Sequence, residues 1–95
     1  MEKLLVGDEY LALENEEMAL LKYFVVEVTR TMEETNEKQK TYGLEIEKWT
    51  KHDVERDVVY DVTTQKEKAF DMMCSIKENK LLPVHLKDVV GDMLA

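Results

Sequence analysis

The last third of the chain limits the fold more than any other stretch. It carries a helix start signal, two apolar stripes at helical spacing and a proline between them. Thr64-Gln65-Lys66-Glu67 has the S/T-x-x-E form of a capping box, in which each side chain satisfies the other residue's backbone N–H. Ala69, Phe70, Met72, Met73, Cys74 and Ile76 then span about 200° of a helical wheel, wide enough to touch two neighbours. Asn79 is placed to end this helix in the left-handed conformation, and Pro83 to open the next, where a missing N–H costs nothing. Leu86, Val89, Val90, Met93 and Leu94 follow as a single stripe at i, i+3, i+4, i+7 and i+8. The reading is a helical hairpin over residues 64–95. Gly91 lies off the stripe and weakens the second helix by up to about 1 kcal/mol relative to alanine.

A hairpin of helices needs something to cover. Residues 21–31 are rich in aromatic and β-branched types, as a strand is. Residues 41–49 alternate, with Tyr42, Leu44 and Ile46 on one side and Glu45 and Glu47 on the other. A third strand spans roughly 54–62. Such alternation marks an antiparallel sheet covered on one face, and three strands alone are marginally stable. The expected architecture is therefore α+β: a three-stranded antiparallel meander over residues 21–62, with the C-terminal helical hairpin packed on one face. In this reading Phe24, Val26, Leu44, Ile46, Val58 and Tyr60 point at the helices. Tyr23, Val25, Trp49 and Val59 then line the opposite face.

Residues 1–20 form an acidic segment that the pattern leaves undefined. Over residues 8–20 leucine, alanine, methionine and glutamate favour a helix, yet Leu11, Leu13, Met18, Leu20 and Leu21 scatter around a helical wheel. Leu11 and Leu13 alternate with Ala12, so a fourth, edge strand turning at Asn15-Glu16-Glu17 fits equally well. The whole chain reads as one domain over residues 1–95.

The formal net charge of −8 is uneven: −7 falls on residues 1–37, −1 on residues 38–61, and the last 34 residues balance. An acidic domain repels phosphate backbones, which argues against direct nucleic-acid binding. One cysteine excludes an internal disulfide framework and fits a reducing compartment. No apolar run approaches the 20 or so residues a membrane span needs. The expectation is a soluble cytoplasmic protein.

Three segments together carry a family likeness: Thr41-Tyr42-Gly43-Leu44-Glu45-Ile46, Asp61-Val62-Thr63-Thr64-Gln65-Lys66-Glu67-Lys68-Ala69 and Leu82-Pro83-Val84-His85-Leu86-Lys87-Asp88-Val89-Val90-Gly91-Asp92. Over roughly residues 20–95 the chain resembles a family of small bacterial proteins, seen mainly in Gram-positive anaerobes and catalogued as a domain of unknown function. Leu82 stands where that family usually has serine, and Gly91 where it tends to have an acid. The first departure implies a second helix without its side-chain cap, a loss of about 1 kcal/mol. The resemblance implies no activity, cofactor or site.

Few residues suggest chemistry. His85, Asp88 and Asp92 fall within about 60° on one side of the second helix, where they read either as a metal or acid–base site or as a packed histidine beside solvated carboxylates. His52, Asp53 and Glu55 read as turn chemistry. Cys74 reads as a partly buried structural residue, since no base stands a turn before it to lower its pKa. Met72, Met73 and Met93 read as core fillers. No phosphate loop, nucleophile elbow or His-Glu zinc motif occurs. The expected function is a non-enzymatic interaction or regulatory module with no cofactor, binding a protein partner or itself through Tyr23, Val25, Trp49 and Val59. The alternatives are a small metal-dependent or acid–base enzyme using His85, Asp88 and Asp92, and an acidic nucleic-acid mimic.

Overall fold

A computed structural model describes residues 1–14 and 17–95. Four strands run in order, β1 (Glu2–Ala12), β2 (Met18–Thr31), β3 (Lys38–Trp49) and β4 (Val54–Thr63), followed by α1 (Lys66–Glu78), a 3-10 turn (Pro83–His85) and α2 (Leu86–Leu94). The strands pair antiparallel in the order β1-β2-β3-β4, and both helices lie on one face. The fold is the expected α+β layer with one strand more than the meander read from residues 21–62.

That added strand comes from the undefined N-terminal segment. β1 pairs with β2 from Glu2↔Glu27 to Ala12↔Met18, with a bulge between Leu5 and Gly7. The bulge inserts one residue and reverses the side-chain parity, so neither period runs unbroken through this segment. The Leu13 N–H donates to the Glu17 carbonyl across the connection, 2.8 Å, while Asn15 and Glu16 of the expected turn lie outside the described residues.

The two faces of the sheet are set by register. Tyr23 pairs with Ile46 and Val25 with Leu44, and cross-strand partners share a face. Leu21, Tyr23 and Val25 therefore join Tyr42, Leu44 and Ile46 under the helices, where Ala69, Met72, Met73, Ile76, Leu86 and Val90 complete the core. Phe24 and Val26 face the other way, which corrects the expected parity of β2. This strand is apolar on both faces, so its own sequence carries no preference. The β3 strand does, and its Tyr42, Leu44 and Ile46 point inward as its alternation predicts.

The β4 strand departs from simple alternation as well. Its pairing with β3 slips between Tyr42 and Leu44, and Asp61 takes a positive φ of 55°. Val59, opposite Leu44, and Val62 both pack against the core, while Tyr60 is 44% exposed. Val58 pairs with Glu45 and shares its outer face. The Asp61 carboxylate ties the irregularity down by accepting from Arg30 and from Thr41 Oγ1, the latter at 2.6 Å.

The helices also differ from the expected hairpin. Packing of α1 reaches all four strands, whereas α2 lies on β4. Gln65 precedes the first turn of α1 with no side-chain cap, so the capping box at Thr64 does not form. Asn79 keeps a negative φ, and Lys80 is the left-handed residue, at φ 51°. Lys80 N–H then donates to the Lys77 carbonyl and Leu81 N–H to that of Ile76, the paired bonds of a Schellman closure. Tyr23 Oη donates to the Leu81 carbonyl at 3.0 Å, fastening this closure to the centre of the sheet. Pro83 opens the second helical segment as expected. Met93 and Leu94 are exposed rather than core, because the stripe runs past the edge of the sheet that α2 covers. Cys74 is exposed too, on the side of α1 away from the strands.

An ideal Cβ built at Gly91 meets nothing within 4 Å. Gly91→Ala is therefore expected to raise the unfolding free energy by up to about 1 kcal/mol, and the melting temperature by roughly 4–8 °C. A thermal melt followed by circular dichroism measures the difference.

Candidate functional site

The uncovered face of the sheet is organised in rows, because antiparallel register lines up one residue from each strand. Tyr10, Leu20, Trp49 and Val54 form an apolar row across all four strands. The next row is Asp8, Lys22, Glu47 and Arg56, alternating in sign, and the next is Leu5, Phe24, Glu45 and Val58. Lys3 and Val26 come after, level with Gly43.

A charge network holds the middle of this face. Glu45 and Glu47 are only 1% and 8% exposed, although the face has no cover. Lys3 lies between them, in contact with Glu45 Oε2 and with its Nζ 2.5 Å from Glu47 Oε2. Arg56 Nη2 donates to Glu45 Oε1 at 2.5 Å. Trp49 Nε1 donates to Glu47 Oε1 at 2.9 Å. Lys3 Nζ also sits 4.4 Å from the Phe24 ring centroid and Lys22 Nζ 4.9 Å from that of Trp49, within cation–π range.

Burial by itself would push the Glu47 carboxyl up, but its bonds from Lys3 and Trp49 outweigh that and hold it below the ordinary range. Burial would lower the Lys3 ammonium, and Glu45 and Glu47 raise it instead. A depressed carboxyl stabilises the fold above its unfolded pKa of about 4.3 and loses that contribution as pH falls through the folded value. A raised lysine contributes fully below about 10.4 and loses its share as pH rises through the folded value. The network is therefore at full strength between those limits. Lys3→Met is expected to flatten the acid limb of the stability curve, read as urea midpoints from neutral pH down through the carboxylate range. An unchanged slope would show that Lys3 does not set the Glu47 titration.

Of the four residues expected on this face, Trp49 is there, 42% exposed. Tyr23 and Val25 are fully buried under the helices, and Val59 is half-buried against the same core. The burial of Tyr23 and a contribution from Glu9 push its phenol up to about 12. Lys3 on β1, Phe24 on β2 and Arg56 on β4 are not marked as surface residues by the pattern of their own strands. The signal that could have found them is the pair Glu45 and Glu47, two acids on one strand face that need cations opposite.

His85, at the end of the 3-10 turn, and Asp88 and Asp92 on α2 stay exposed, and among the described residues no three His, Cys, Asp or Glu side chains gather as metal ligands. The Leu82 N–H donates to His85 Nδ1 at 3.4 Å, so the imidazole closes the first turn of its own helix in place of a capping side chain. In the β3–β4 turn, Thr50 Oγ1 and the Asp53 carboxylate bond to neighbouring backbone, and His52 is exposed. No cleft of ligand size forms among the described residues. Among the described residues no helix is long and apolar enough to cross a membrane.

Residues 2–95 match a family model described as "Family of unknown function (DUF6514)". No curated protein and no solved structure matches the chain.

Proposed function

Since the chain belongs to that family of unknown function, we propose a role from its own surface: a non-enzymatic protein-interaction module of the bacterial cytoplasm that works through the uncovered face of the sheet. The observation that carries this reading is the row Tyr10, Leu20, Trp49 and Val54, in which Tyr10, Trp49 and Val54 are exposed large apolar side chains side by side. Single exposed apolar residues are ordinary, but a contiguous row with an aromatic at its centre is the composition of a contact surface. The charge network in the middle of this face is already paired within the chain, which leaves little charge to desolvate on contact.

Trp49→Ala is the test. Binding hot spots centre on buried aromatics, so association is expected to weaken by tenfold or more, while the far-UV circular dichroism spectrum is unchanged. Association of undiminished strength by a folded Trp49→Ala chain would exclude this face as the contact surface.

A further inference from the structure

We propose that the uncovered sheet face pairs with the same face of a second copy of this chain, the two sheets stacked about a two-fold axis parallel to the strands. This rests on the reading of that face as the contact surface and names its occupant. The juxtaposition that points to it is the charged row. From β1 to β4 it runs Asp8, Lys22, Glu47, Arg56, that is acid, base, acid, base. A two-fold axis along the strands lays β1 over β4 of the second copy and β2 over β3. Asp8 then faces Arg56 of the second copy and Lys22 faces its Glu47, so each acid meets a base. The same operation lays Tyr10 over Val54 and Leu20 over Trp49, apolar on apolar.

The charge balance selects a copy of this chain over a charged stranger. The face carries Lys3, Lys22 and Arg56 against Asp8, Glu45 and Glu47 and is neutral, so the net −8 lies wholly elsewhere. Two copies approaching by the surfaces that carry this net charge repel each other, and a basic partner would be drawn to those surfaces instead. Burying the central carboxylates in a dimer costs little more, because Glu45 and Glu47 are already desolvated within each chain. Sheets stacked this way sit about 10 Å apart with strand directions within about 30°.

Size sets the strength. Strands about 4.8 Å apart give a four-stranded patch on the order of 500 Å² per copy. The total of about 1,000 Å² is at the low end of specific interfaces, where association is transient. The expected dimer is reversible, with a dissociation constant of roughly micromolar to hundreds of micromolar.

Sedimentation velocity from micromolar to millimolar concentration, together with emission from Trp49, the sole tryptophan, tests this directly. The expected result is a monomer–dimer shift and a blue shift of Trp49 over the same range. Trp49→Glu, with folding verified by circular dichroism, is expected to weaken dimerisation at least about tenfold. Asp8→Arg and Arg56→Glu are each expected to weaken it, and an equimolar mixture of the two chains to regain it, since acid again meets base at both contacts. A chain that stays monomeric at millimolar concentration overturns the proposal, as does a Trp49→Glu dimer of unchanged strength. Failure of the mixture to regain association overturns the axis. A monomer that captures a different protein in a Trp49-dependent way overturns self-pairing while sparing the interaction reading.

Discussion

Replacing Gly43 by alanine is expected to lower the unfolding free energy by about 2–3 kcal/mol, a fall of roughly 10–20 °C in melting temperature. A Cβ there would collide with the Val59 carbonyl oxygen, and would lie 2.9 Å from Tyr60 Cα and 3.2 Å from the Val59 carbonyl carbon. These are backbone atoms and cannot swing aside as a side-chain end does. The β4 strand crosses closely over β3 at this point because its pairing slips between Tyr42 and Leu44, and Asp61 fixes the slip through Arg30 and Thr41. The smaller conformational freedom of an unfolded alanine chain returns only about 0.4–1 kcal/mol, so the collision wins. A thermal melt within a few degrees of wild type would mean that β4 does not approach β3 so closely.

Tyr23→Ala is expected to cost about 3–5 kcal/mol. Tyr23 is fully buried, heads the largest such side chains in the chain, and donates its hydroxyl to the Leu81 carbonyl at 3.0 Å. Removing it opens a cavity between sheet and helices and leaves the half-buried Leu81 carbonyl without its partner. A domain of this size has on the order of 5–14 kcal/mol in all, so the variant should be partly unfolded at physiological temperature. The milder Tyr23→Phe keeps the ring and isolates the hydroxyl, at about 1–2 kcal/mol. Chemical denaturation of the two variants separates ring from hydrogen bond. A Tyr23→Ala chain as stable as wild type would put Tyr23 on the surface, where its strand parity alone had pointed.

That contrast shows how far local pattern reaches. In β3 the alternation of Tyr42, Leu44 and Ile46 with Glu45 and Glu47 is unambiguous, and the strand sits as its sequence dictates. In β2 both faces are apolar, so orientation is decided by register against β3, which the connection from Thr31 to Lys38 imposes. Register is a long-range property that a window of residues does not contain. The irregularities in β1 and β4 hide for the same reason: one extra residue in β1 reverses the parity that follows it, and in β4 three residues stand between Val59 and Thr63 where β3 has Gly43 alone. The helices were legible because Pro83 and the stripe through Leu86 and Val90 are local signals. Their ends were less so: Lys80, not Asn79, takes the left-handed turn, and Met93 overhangs the sheet. On the candidate face, Trp49 was found because it lies on the one strand with a clear alternation. Lys3, Phe24 and Arg56 were missed because they lie on strands without one. Of the chemistry weighed at His85, only a backbone contact to Leu82 is seen.

The division of the sheet into a buried face and a free one underlies both the stability argument and the proposed contact surface. Its most direct test is NMR with a soluble paramagnetic gadolinium chelate, at a concentration where the chain is monomeric. Strong relaxation enhancement at the side chains of Leu5, Tyr10, Trp49 and Val54, with little at Leu21, Tyr23, Val25 and Leu44, is the predicted result. Enhancement of Tyr23 and Val25 to the level of Trp49 would contradict it.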